Sequence, residues 1–288
     1  MMCVKEGISW LERSLRSIPV LDSDERDRIV REKIERKEAF LSGKFGGNEL
    51  WAMRVAEFGY WYKLDLLWEH MNVEAGFFYD GEKREAIERF TSLMKDAVKE
   101  LDQIAEWQKP KEYYFLKKYR NELPTFVNWV GIDMKCLKGR KVLIVHPFEK
   151  TIRNQYERRE KIFDDPDRLP DMDLSMVKAV QTIGGNPDPR FKNWFQALDY
   201  MTEESLKRDF DVALIGCGAY GLPLAARIKK EGKCAIHLGG ELQLLFGIKG
   251  KRWTDDPHYT EKMNEYWVNP FPEDVPENYE MVEGGCYW

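Results

Sequence analysis

The stretch FDVALIGCGAYGLPLAARIKKEGKCAIHLGG, Phe210 to Gly240, decides how this chain is read. An apolar run, Val212 to Ile215, stops at Gly216-Cys217-Gly218-Ala219-Tyr220-Gly221. An amphipathic stretch with Arg227, Lys229 and Lys230 follows, and a second short apolar run closes at Gly239-Gly240. The pattern predicts strand, glycine turn, helix, strand. Glycines let a backbone approach a ligand closely, and the free N–H groups and dipole at the start of the helix favour a phosphate. The expectation is a phosphorylated small molecule bound at Gly216 to Gly221.

Gly216, Gly218 and Gly221 match the dinucleotide spacing G-x-G-x-x-G in its strand-to-helix context. The match fails one strand later. A nicotinamide cofactor needs an acid there for its ribose, whereas this chain has His237, Leu238, Gly239 and Gly240, with Glu241 the nearest acid. A nucleotide diphosphate is therefore expected ahead of NAD, against the plainer reading of a tight turn that binds nothing.

Composition bounds the rest. The 288 residues are 43% hydrophobic and 13% aromatic, enough for a large core. Lys plus Arg is 45 against 50 for Asp plus Glu, a net charge of -5 that leaves no basic footprint for nucleic acid. Cys3, Cys136, Cys217, Cys234 and Cys286 are scattered without C-x-x-C spacing, and no apolar signal core opens the chain. Free thiols in a reducing cytoplasm are expected. No apolar run reaches the length of a membrane span, while ten tryptophans leave room for a peripheral contact at the inner face of a membrane.

Helices are expected from Ile8 to Ile18, Glu25 to Phe40, Thr151 to Phe163 and Arg190 to Lys207. Glu82 to Trp107 carries the clearest apolar stripe, from Ala86 and Ile87 through Phe90, Leu93, Met94, Ala97 and Leu101 to Ile104. Strands are expected near Phe40, at Lys141 to Phe148 and at Val177 to Ile183. The aromatic region Tyr113 to Trp129 has no clear assignment. Alternating strands and helices predict an α/β, Rossmann-like doubly wound, mainly parallel sheet over residues 39–288, with a helical N-terminal segment over 1–38. Ligands of such sheets sit at the carboxyl ends of the strands. That rule gathers Gly46 to Glu49, His146, Gly216 to Gly221 and His237 to Glu241 along one edge.

Beside them Arg153, Arg158 and Arg159, with Gln155 and Tyr156, open a helix just past a strand end. Guanidinium groups suit phosphate geometry, although a solvated basic face balanced by Glu157 and Glu160 is the plainer account of any one of them. His146 is a candidate general base or a core residue, and His237 is weighed the same way. His70 and His258 have no supporting context. Trp267 and Cys286-Tyr287-Trp288 either cover the site or pack against the core, packing being the plainer reading. The chain has no G-x-S-x-G elbow, Walker loop, H-E-x-x-H or zinc-type spacing.

Several segments together resemble the GT-D-like glycosyltransferases found with bacterial surface-polysaccharide genes. They are LSGKFGGNE at 41–49, VLIVHPF at 142–148, QYERRE at 155–160, IGCGAYGLPLA at 215–225, IHLGGELQLLFGIKGKRW at 236–253, NEYW at 264–267 and EGGCYW at 283–288. The resemblance runs from about residue 39 to the end of the sequence. It implies transfer of a sugar from a nucleotide-diphosphate donor to a glycan or lipid-linked acceptor in lipopolysaccharide or capsule assembly. It also implies a divalent cation (Mn or Mg) held by an acid-x-acid turn of the form R-F-G-D-G-E. Here that turn is Lys44-Phe45-Gly46-Gly47-Asn48-Glu49, so Glu49 matches the second acid while Gly47 replaces the first.

On this reading Gly46, Gly47, Gly216, Gly218, Gly221, Gly239 and Gly240 cradle the donor, and Tyr156, Tyr220 and His237 border it. Arg159, Lys249 or Arg252 stabilises the leaving diphosphate, and Glu49 or His146 deprotonates the acceptor. Two alternatives from other classes are a noncatalytic nucleotide-sugar-binding partner in a polysaccharide assembly complex and an NAD(P)-dependent oxidoreductase.

Overall fold

A computed structural model describes residues 18–106 and 109–288. The helix expected from Ile8 therefore lies, up to residue 17, outside the described residues. The strands are β1 (Val20–Leu21), β2 (Phe40–Gly43), β3 (Gln103–Ala105), β4 (Thr125–Val127), β5 (Lys141–His146), β6 (Asp173–Lys178), β7 (Val212–Ile215) and β8 (Cys234–His237). They form one sheet in the order β1-β4-β3-β2-β8-β7-β5-β6, and every pairing is parallel. The expected α/β doubly wound sheet is borne out. Val20 and Leu21, inside the segment expected to be helical, pair with Phe126 and Val127 and so extend the sheet.

The helices are α1 (Ser23–Glu35), α2 (Gly47–Phe58), α3 (Leu64–Val73), α4 (Lys83–Glu100), α5 (Lys109–Tyr119), α6 (Glu149–Glu157), α7 (Trp194–Leu206), α8 (Gly221–Lys230) and the short α9 (Lys251–Thr254) and α10 (Pro257–Thr260). Alternation along the strands divides the core. Leu143, Val145, Ala213 and Ile215 face one cluster, which takes buried residues from α2, α3, α4, α7 and α8. Val142, Ile144, Val212 and Leu214 face the other, with Val30 and Ile34 of α1, Ile152 of α6 and the segment after β8. Both faces are covered, which is why these strands read as continuous apolar runs.

On α4, Ala86, Ile87, Phe90, Met94, Ala97 and Val98 are buried, each large side chain contributing about 1.5–3 kcal/mol relative to exposure. The helix stops at Glu100, short of the expected Trp107. Leu101 is extended, and Asp102 exchanges bonds with Leu41: its amide donates to the Leu41 carbonyl (2.9 Å), and its carboxylate accepts from the Leu41 amide (2.8 Å). That exchange starts β3 alongside β2, so Ile104 belongs to a strand. The unassigned aromatic region resolves into α5 and β4.

Neighbouring strands at the centre of the sheet send the chain to opposite faces. The chain after β2 and after β7 enters helices on the first face; after β5 and β8 it enters the second. The register keeps the strand ends level, with Ser42 beside Ile236, Ile215 beside His237 and Val145 beside Ile215. A crevice therefore opens at the carboxyl edge between these four strands, the position where ligands of such sheets sit.

Candidate functional site

The crevice is a cavity of about 650 Å³, within the usual range for small-molecule sites. Gly46, Gly47, Glu49, His146, Gly216, Gly218, Tyr220, His237, Gly239, Gly240 and Arg252 all border it. Residues distant in sequence thus meet because β2, β8, β7 and β5 lie side by side.

Two of the three fingerprint glycines are explained by histidine packing. A β-carbon on Gly216 would stand 2.6 Å from the Gly239 carbonyl oxygen and 2.7 Å from Cδ2 of His146. One on Gly221 would collide with Cε1 and Nδ1 of His237. Gly218 differs: its φ of +56° is a left-handed conformation, and a β-carbon there would meet nothing within 4 Å among the described residues. It opens the short 3-10 turn Gly218–Tyr220 that leads into α8, where the first amides have no intrahelical acceptor.

Both histidines are buried, and burial pushes each down to about 3. His146 Nδ1 accepts from the Phe148 amide at 3.0 Å, so the neutral ring carries its proton on Nε2 and is a donor there. Among the described residues His237 Nδ1 has no hydrogen-bond partner.

Glu49 lies in the first turn of α2, 9% exposed. Its carboxyl covers the α-carbon of Gly46 and accepts from its own backbone amide. Burial raises its pKa, against the lowering charge of Lys44. The fold-back resembles half of a capping box, in which an acid in the first turn reaches back to the helix start.

Lys44 follows β2 directly and is the cation at the centre of this edge. Its Nζ is 3.7 Å from Glu241 Oε1 and 5.2 Å from the centre of the Trp129 ring. Trp129 Nε1 donates to Glu241 Oε2, and burial raises the Glu241 pKa. Arg252, also on the cavity wall, pairs with Glu283, donates to the Tyr287 hydroxyl at 3.2 Å and lies over that ring.

Three residues expected at the donor lie elsewhere. The Tyr156 hydroxyl donates to the Met172 carbonyl (2.9 Å), tying α6 to the segment before β6. Arg159 pairs with Asp171 at 3.1 Å and covers the Tyr156 ring. Lys249 is held at the backbone, its amide donating to the Val268 carbonyl at 2.7 Å. The cause is common to the first two: α6 lies along the second face of the sheet and carries Tyr156 away from the strand ends. Arg153 pairs with Glu149, and Arg158 bonds Gln155, whose amide holds the carbonyls of Gly247 and Tyr266. Tyr220 borders the crevice, but its ring stacks on Trp194 at 4.4 Å and its hydroxyl meets Thr182 Oγ1 at 3.2 Å.

Lys44, Trp129 and Glu74 join the site although their sequence context does not point to it. Lys44 stands inside the LSGKFGGNE segment, yet only the β2–β8 pairing places it over Gly239. Trp267 packs as expected, donating to the Ile162 carbonyl at 2.9 Å, and Tyr287 and Trp288 pack against the second core cluster while also lining the crevice.

The residues present do not fit a protein-held divalent cation. The single matching acid, Glu49, is folded onto its own helix start; Glu74 bonds Asn48 and His70. Glu241 bonds Trp129, and Glu283 holds Arg252. Among the described residues no group of three His, Cys, Asp or Glu side chains is placed to hold a metal. The four cysteines among them are free, and no helix there is long and apolar enough to cross a membrane.

No protein-family model matches this sequence, and no curated protein matches it significantly. Similar solved structures include a selenomethionine-substituted domain of unknown function 1792. It aligns over 91% of this chain and 95% of its own length, with a TM-score of 0.45 and 13% identity. A second is described as showing that the highly conserved domain of unknown function 1792 has a distinct glycosyltransferase fold. It aligns over 81% of each chain, with a TM-score of 0.41 and 14% identity.

Proposed function

We propose that the crevice is the donor site of a glycosyltransferase, which moves a sugar from a nucleotide diphosphate to a glycan or lipid-linked acceptor in surface-polysaccharide assembly. The observation that carries this reading is the meeting of both glycine turns, after β2 and after β7, with Lys44, Arg252 and Glu49 in one cavity of nucleotide-sugar size. The diphosphate lies toward Gly218 and Lys44, where unpaired amides and an ammonium favour anions. The carboxylates of the wall accept hydrogen bonds from sugar hydroxyls. Glu49 is the general base, because its desolvated carboxyl has the higher proton affinity that the task needs. His146 Nε2–H serves as a donor.

One observation favours a second reading, nucleotide-sugar binding without transfer: the Glu49 carboxyl already caps its own helix. Melting curves against UDP, GDP and dTDP sugars, CMP sugars and NADH, each with and without manganese, test the donor site by linkage. A selective rise with one nucleotide sugar supports it, and product formation with a glycan acceptor then separates transfer from binding. A rise with NADH alone would establish the oxidoreductase instead; no rise at all would remove the donor-site reading.

A further inference from the structure

We infer that Lys44 serves as the resident cation for the diphosphate in this crevice, which binds its nucleotide without a divalent metal. The inference rests on the donor-site reading and goes beyond it. A metal that bridges protein and diphosphate needs several oxygens placed around one point. Gly47 supplies none, Glu49 is turned back over Gly46, and the remaining acids of the wall, Glu74, Glu241, Glu283 and Asp256, are bonded to Asn48, Trp129, Arg252 and the His258 amide respectively.

Lys44 is built into that ground. Its Cε would lie 3.0 Å from a β-carbon on Gly239, so the lysine chain runs closely over the bare glycine backbone after β8. The 3.7 Å from Nζ to Glu241 is a charge contact longer than an N–H···O hydrogen bond. The ammonium is thus held in place while its donors stay available to phosphate oxygens. The Trp129 ring, itself bonded to Glu241, also lies against the ammonium. Glu49 and Glu241 both feel its charge, so one fixed positive charge serves the two carboxylates nearest the end of β2. Arg252 adds a second cation to the same cavity, oriented by Glu283 and Tyr287, and its charge also acts on Glu241.

Calorimetric titration of the wild-type chain with UDP, GDP and dTDP, and with the matching monophosphates, decides the matter when run in EDTA and again in manganese. The expected result is one diphosphate that binds equally in both media and about tenfold more tightly than its monophosphate, the worth of a charge-assisted contact. Lys44→Met should weaken that diphosphate about tenfold in either medium, with circular dichroism confirming the fold. Binding that requires manganese overturns the inference and leaves the donor site standing. Unchanged affinity in Lys44→Met overturns the part assigned to Lys44. Failure of every nucleotide in both media overturns the inference together with the donor site.

Discussion

The imidazole of His237 occupies the space that any side chain at Gly221 would need. Gly221 has an ordinary helical φ of -61°, so the glycine is required by the ring and not by the backbone. Gly221→Ala should therefore cost about 1–3 kcal/mol through overpacking. Removing the ring should release the strain: in a cycle with His237→Ala, urea midpoints should give a coupling of at least about 0.5 kcal/mol. Additive effects would show that the ring does not set this requirement.

The same burial makes stability depend on pH. His146 and His237 stay neutral in the fold down to about pH 3, against 6.5 for the free side chain. Their contribution is complete above pH 6.5 and shrinks as the unfolded chain takes up protons that the folded chain refuses. Between pH 7 and 5 the loss should be about 2 kcal/mol per histidine. Glu49, with its raised pKa, acts in the opposite sense and returns part of this loss as it protonates. Urea denaturation at the two pH values should show a smaller difference in His237→Gln than in wild type, and an equal difference would contradict the assignment.

Glu49→Gln separates catalysis from stability. The desolvated carboxylate is a cost to the fold near neutral pH, so the amide should leave the melting temperature equal or higher while transfer is abolished. Full transfer activity in this variant would remove Glu49 from the proposed chemistry.

Arg159 and Tyr156 give a contrast with Arg252. Arg159→Ala should leave any nucleotide-induced melting shift unchanged, because its partner is Asp171. Tyr156→Phe should cost about 1 kcal/mol of stability, through the lost bond to the Met172 carbonyl, with no effect on the shift. Arg252→Ala should reduce the shift. A nucleotide shift lost in Arg159→Ala would return that guanidinium to the donor site.

The architecture was legible where period and turn chemistry agree. Val212 to Gly221 reads as strand and glycine turn because both sheet faces are buried and the turn needs a left-handed residue at Gly218. The gathering of His146, Gly216 and His237 follows from the parallel sheet alone. What could not be read was direction and pairing. Arg159 and Lys249 look like phosphate ligands by residue type, but the path of α6 and the Val268 contact decide where they go. Lys44 was hidden for the converse reason: only the neighbour relation between β2 and β8 gives it a place. β3 was lost inside an apolar stripe that suits a helix equally well, until Asp102 bonds Leu41.

The pairing of β2 with β8 also governs how the molecule must form. Phe40 lies beside Cys234 and Ser42 beside Ile236, so the central seam joins segments from opposite ends of the chain. Contacts of such long sequence separation are slow to establish. During synthesis β2 would wait with one edge bare until β8 had left the ribosome, a period in which it is open to pairing with other chains. Fragments ending before Cys234 should consequently be the aggregation-prone species of this protein, whatever ligand the finished crevice holds.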